Sequence, residues 1–88
     1  MEYGKLYADH IRKLCRQRGL SINRLAHMSG LRQSTLDNIM RGVSCNPRVL
    51  TLHKIALAFG MTLSEFLDFP ELNDYYPYEE EERTNITS

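Results

Sequence analysis

The sequence predicts an all-α fold, a compact five-helix bundle, and three observations carry that expectation. Apolar residues recur at steps of three and four along most of the chain, which is the period of a helix face. No run alternates apolar and polar with period two, so no strand is expected. Glycines at positions 19, 30, 42 and 60 follow four of the five helical segments, where a helix end favours a left-handed residue. With 88 residues and 42% hydrophobic content, the chain is read as one domain with one modest core. It has no room for a deep catalytic cleft and the shell that would support it.

The first helix is expected over about Tyr3–Arg18, with Tyr7, Ile11, Leu14 and Cys15 on one face and Gly19 past its end. Ser21 is a good N-cap for a second helix, about Ile22–Met28, whose inward residues are Leu25, Ala26 and Ile22. Gly30 breaks that helix after barely two turns. The third helix starts at Arg32 or Gln33 and runs to Arg41. Its spacing puts Leu36, Ile39 and Met40 on one face and Gln33, Ser34, Asp37, Asn38 and Arg41 on the other. "VSCNP" is a loop, because Pro47 disfavours helix at Asn46. A fourth helix, about Val49–Phe59, turns Leu52, Ile55, Ala56 and Phe59 inward. Thr62 and Glu65 form a capping box for a fifth, about Leu63–Asp68, which brings in Leu63, Phe66 and Leu67 before Pro70 stops it. Residues 1–69 are thus the domain. Residues 70–88, with two prolines, three tyrosines and the acid block Glu79 to Glu82, read as an acidic, flexible C-terminal tail. Within it, Leu72, Tyr75 and Tyr76 are candidates to dock on the domain or on a second copy.

The formal net charge of zero hides an asymmetry. Residues 1–69 carry a net +5 and residues 70–88 a net −5. A basic body fits a polyanionic partner, though an ordinary solvated surface would also explain it. The two cysteines, Cys15 and Cys45, and the three histidines, His10, His27 and His53, are scattered and match no zinc spacing, so no metal and no cofactor are expected. No Ser-His-Asp, Cys-His or phosphate-loop arrangement is visible, so the chain is not read as an enzyme. No apolar run approaches the roughly 18 residues of a membrane helix. "MEYGKLYADH" lacks the hydrophobic region of a signal peptide, which makes the cytoplasm the expected compartment and a structural disulfide unexpected.

Two short helices joined across a glycine, inside such a bundle, form helix-turn-helix geometry. Here the sequence resembles the phage λ-repressor/Cro-like (XRE family) helix-turn-helix domains. The resemblance covers about residues 7–68 and rests on "IRKLCRQRGLS", "RLAHMSGLRQSTLDNIMRG", "NPRVLTLHKIALAFG" and "MTLSEFL". It implies a λ-repressor-like DNA-binding domain whose third helix enters the major groove. By that resemblance Gln33 is the first base-reading residue, and its amide suits adenine N6 and N7. Ser34 matches a position that reads bases or phosphate, and Asn38 matches a third reading position. Asp37 is either an acceptor for cytosine N4 or a solvated acid. Arg41 either complements the helix dipole or belongs to the DNA face. Arg32 stands where the family favours a small capping residue; it cannot cap with an oxygen but can reach phosphate.

Asn46 and Arg48 lie in the following loop, which in the resembling repressors approaches the DNA backbone and the operator centre. Arg48 matches an arginine near the minor groove, where narrow A·T-rich DNA attracts a guanidinium. Two departures stand out. Ile22 stands where the family often has a Gln that touches phosphate, so that contact is lost or made by neighbours such as Asn23 or Arg24. Cys15 and Met40 replace an Arg and a Glu that form a partly buried ion pair. Losing both charges together strands neither one, so Cys15 reads as a core residue. The expected function is a sequence-specific transcriptional regulator, a repressor, bound as a homodimer to a pseudopalindromic site on double-stranded DNA. The alternatives are an antitoxin whose acidic tail folds on a toxin, or a protein-interaction module that no longer binds DNA.

Overall fold

Ser21 and Thr62 accept the backbone N–H bonds that an N-cap should accept, from Arg24 at 3.1 Å and from Glu65 at 3.1 Å. The Glu65 carboxylate returns a bond to the Thr62 N–H at 2.8 Å, which completes the capping box and holds that carboxyl below its ordinary range. The computed structural model describes residues 3–43 and 46–75. Among them the helices are α1 (Tyr3–Arg18), α2 (Ile22–Ser29), α3 (Gln33–Met40), α4 (Val49–Ala58), α5 (Leu63–Leu67) and α6 (Pro70–Asn73). The first five begin where caps and periodicity place them and end within one residue of expectation. No strand occurs among the described residues.

Packing follows the apolar stripes. α1 lies against α3, α2 against α3 and α4, and α4 against α5. Ile11, Leu25, Leu36, Ile55 and Phe66, one from each of α1 to α5, are 0% exposed. Burying a side chain of this size is worth roughly 1.5–3 kcal/mol. Among the described residues no polar or charged residue is buried. Cys15 sits in this core, and burial pushes its thiol up, partly opposed by the charge of Arg18. It is a small hydrophobe here, not a thiolate nucleophile. No helix is long and apolar enough to cross a membrane.

The turn between α2 and α3 needs a left-handed residue, and Gly30 supplies it at φ 72°. This lets the Leu31 N–H bond back to the Ala26 carbonyl at 3.1 Å and the Gly30 N–H to the His27 carbonyl at 3.3 Å. These bonds satisfy the last carbonyls of α2, and Leu31 drops onto the core.

A sixth helix follows the five expected. Pro70 does end α5's reach, but its fixed φ and missing N–H also suit the first position of a new helix, and α6 starts there. Leu72 and Tyr75 then pack on the body of their own chain. The Tyr75 ring lies 5.2 Å from that of Tyr3, which stands edge-on to Tyr7 at 5.3 Å. Residues 70–75 are therefore joined to the domain instead of beginning a loose tail. Tyr76, Glu79 to Glu82 and Cys45 lie outside the described residues.

His10 ties α1 to this end of the molecule. Its Nε2 lies 2.8 Å from the Phe66 carbonyl, to which the neutral ring donates, and its ring stacks on Phe69 at 3.8 Å. Burial lowers its pKa, and the Phe66 carbonyl opposes this only in part.

Two outcomes are expected. Gly30→Ala lowers stability by about 1 kcal/mol in thermal denaturation. The loss is pure backbone strain, since nothing lies within 4 Å of a Cβ built there. For His10, the folded pKa lies below the unfolded value of about 6.5, so the unfolded chain takes the proton first. Its contribution is complete above that value and declines as pH falls through the folded pKa. Denaturation midpoints measured between pH 7.5 and 5 will fall with acid, and His10→Gln will flatten that slope.

Candidate functional site

α3 has eight residues, and three of them, Leu36, Ile39 and Met40, are buried. On the remaining surface, Gln33, Ser34, Asn38 and Arg41 are exposed and Asp37 is half-buried. Two hydrogen bonds organise these side chains. Gln33 Nε2 donates to Asp37 Oδ1 at 2.9 Å, and Arg41 donates to Asn38 Oδ1 at 2.8 Å. Ser34, Asp37, Asn38 and Arg41 together line one shallow depression.

A second groove, of about 380 Å³, joins α3 to the loop before α4. Its lining includes Asn38 from α3 and Asn46, Pro47 and Arg48 from the loop. The fold therefore brings Asn46 and Arg48 to the reading face. Arg48 is exposed and is the N-cap residue of α4, with extended backbone and no side-chain cap bond. Arg32 holds the same place before α3, again extended, exposed and without a cap bond. α3 thus begins at Gln33, the second of the two expected starts. Asn23 and Arg24 are exposed on the first turn of α2 and line neither groove.

Three residues at this site were not singled out from sequence. Thr35 and Thr51 also line the groove beside Asn38 and Arg48. Each lies three positions from its neighbour, so helical spacing could have found them. The third is Arg12. Its Nη2 donates to the Met40 carbonyl at 2.7 Å while Nη1 pairs with Asp9 at 3.3 Å. The end of α3 is thereby held from α1 by a charge-assisted bond to a carbonyl that the helix itself leaves open.

The site offers short amide and hydroxyl groups on a narrow rod, flanked by Arg32, Arg41 and Arg48. Such groups can donate and accept hydrogen bonds along a base edge, and the arginines can meet phosphates.

A family model described as a Cro/C1-type helix-turn-helix (HTH) DNA-binding domain matches residues 10–71. The chain is 41% identical over 58 residues to the HTH-type transcriptional regulator SlrR of Bacillus subtilis (strain 168), covering 66% of this chain and 38% of that protein. It is 40% identical over 58 residues to the HTH-type transcriptional regulator PuuR of Escherichia coli (strain K12), covering 66% and 31%. It thus spans about a third of the length of these two relatives. Among solved structures, the prophage Lp1 protein 11 matches with a TM-score of 0.75 at 35% identity, over 83% of this chain and 97% of that one. The SinR protein/SinI protein complex matches with a TM-score of 0.63 over 98% and 79%. At 21% identity it shares the fold.

The packing of α1 on α3 yields one expected outcome. Cys15 and Met40 both lie in the core, at the positions where the resembling family has its ion pair. Cys15→Arg alone will cost several kcal/mol in chemical denaturation, because it buries an unpaired charge. Adding Met40→Glu will recover much of that loss. A double variant no more stable than the single would show that the two side chains do not meet.

Proposed function

We propose, since the chain belongs to the Cro/C1-type helix-turn-helix family of DNA-binding domains, that it is a sequence-specific transcriptional regulator. It lays α3 in the major groove and acts as a repressor. The observation that carries this reading is the outer face of α3, where Gln33, Ser34 and Asn38 stand exposed beside a groove that ends in Arg48. Lysine and glutamate would solvate such a face equally well. Short uncharged amides and a hydroxyl suit base edges better, because each can be matched to one donor or acceptor pattern. Arg32, Arg41 and Arg48 supply the phosphate contacts that position the helix without reading sequence. Asn46, from the loop, faces the same groove, while Asn23 and Arg24 extend the contact along the first turn of α2.

The regulator binds as a homodimer. One module of this size covers limited DNA surface, and a second copy on a pseudopalindromic operator supplies the missing affinity and doubles the sequence read. Leu72 and Tyr75 are partly buried against their own chain.

Selection of bound fragments from random double-stranded DNA tests the whole reading. An enriched motif with two related halves is expected, and failure to enrich any motif at low salt would overturn it. Gln33→Ala and Asn38→Ala will each weaken binding to the selected site by about 1–3 kcal/mol while leaving binding to random DNA nearly intact. Arg48→Ala will weaken binding to all sequences and reduce the dependence of log K on log salt by about one unit. Competition titrations at two salt concentrations read both effects.

A further inference from the structure

Two hydrogen bonds on α3 constrain more than side-chain position. Gln33 Nε2 meets Asp37 Oδ1 at 2.9 Å, one helical turn along, and Arg41 Nη2 meets Asn38 Oδ1 at 2.8 Å. A carboxylate can only accept and a guanidinium can only donate. The amide atoms in both contacts are therefore forced. Gln33 must turn its NH₂ group toward Asp37, and Asn38 must turn its carbonyl toward Arg41.

What each amide has left to offer follows directly. With one Nε2 hydrogen committed to Asp37, Gln33 keeps one N–H donor and its Oε1 acceptor. That pair matches adenine, which presents the N7 acceptor and an N6–H donor in the major groove. It does not match guanine, whose N7 and O6 are both acceptors, since Oε1 would face O6. Asn38 is less constrained. Its Oδ1 accepts from Arg41 but keeps a second lone pair, and both Nδ2 hydrogens remain. That contact orients the Asn38 amide without choosing a base for it.

We propose that Asp37 is a positioning residue that sets the base preference of the amide one turn before it: Asp37 commits Gln33 to adenine over guanine. The proposal rests on the DNA-reading role given above for α3. It also gives Asp37 a role other than direct pairing with cytosine.

The test is a set of competition titrations on the site selected by the full chain, with each base substituted in turn. Gln33→Ala and Asn38→Ala map the position that each amide reads. At the Gln33 position the unaltered protein will prefer adenine over guanine by about ten-fold. In Asp37→Ala that ratio will fall to about two-fold, and Asp37→Glu, which keeps an acceptor one turn from Gln33, will restore it. Thermal denaturation checks that the variants are folded, and a merely structural effect would lower affinity for every site alike without moving these ratios. Unchanged ratios in Asp37→Ala overturn the proposal, as does a preference for guanine at the Gln33 position. A shift in Asp37→Ala at a position other than the one mapped by Gln33→Ala also overturns it, because Asp37 would then be reading a base itself. These results leave the regulator reading intact. A protein that selects no site at all sinks that reading first.

Discussion

An isolated helix of eight residues is unstable in water, because nucleation costs more than so few hydrogen bonds return. α3 therefore exists by virtue of Leu36, Ile39 and Met40, which bury its inner face against α1 and α2. Leu36 is completely enclosed, together with one residue from each of the other four main helices. Removing such a side chain costs about 2–5 kcal/mol, a large share of the roughly 5–15 kcal/mol that holds a domain together. Because three positions do the packing, the other five are released from it. That division of labour allows a polar, chemically specific face on so short an element.

The ends of α3 are held by the body as well. At its start, the turn through Gly30 and Leu31 fixes the approach from α2, and Arg32 adds no side-chain cap. At its end, the Val43 N–H returns to the Asn38 carbonyl at 3.1 Å, and Arg12 reaches the Met40 carbonyl from α1. A helix anchored along one face and at both ends moves with the bundle as one piece. A rod meant to enter a groove benefits from this, since ordering it on binding would otherwise subtract from affinity.

Much of this was legible in the sequence. The periodicity gave all five main helices, and Ser21 and Thr62 marked two of their starts by the bonds their hydroxyls accept. The outward residues of α3 were legible too, because spacing alone separates them from Leu36, Ile39 and Met40. Other features depend on contacts that sequence does not display. Pro70 reads equally as a stop and as a start, and what favoured the start was Tyr75 meeting Tyr3, some seventy positions away in the chain. The bond from Arg12 to Met40 ends on a backbone carbonyl, and a carbonyl has no residue signature. The Gln33–Asp37 pair was visible as an i, i+4 spacing. Its significance emerges only when the two side chains are considered as one unit, since Asp37 taken alone looks like either a solvated acid or a base reader.

Arg12 also explains how the chain manages without the ion pair of the family it belongs to. In many of the resembling domains an arginine on the first helix meets a glutamate near the end of the third. A buried pair of that kind must repay the desolvation of both charges. Here Cys15 and Met40 occupy those places and join the apolar core. The electrostatic tie between the same two helices is made one turn earlier on α1, where Arg12 bonds Met40 through its main chain. Arg12 and its partner Asp9 each remain half exposed, at 49%, so about half of their contact with water is kept. The acceptor is a carbonyl that any residue at position 40 would provide. The link between α1 and the reading helix has thus become independent of the side chain at position 40, which leaves that side chain free to be chosen for packing alone.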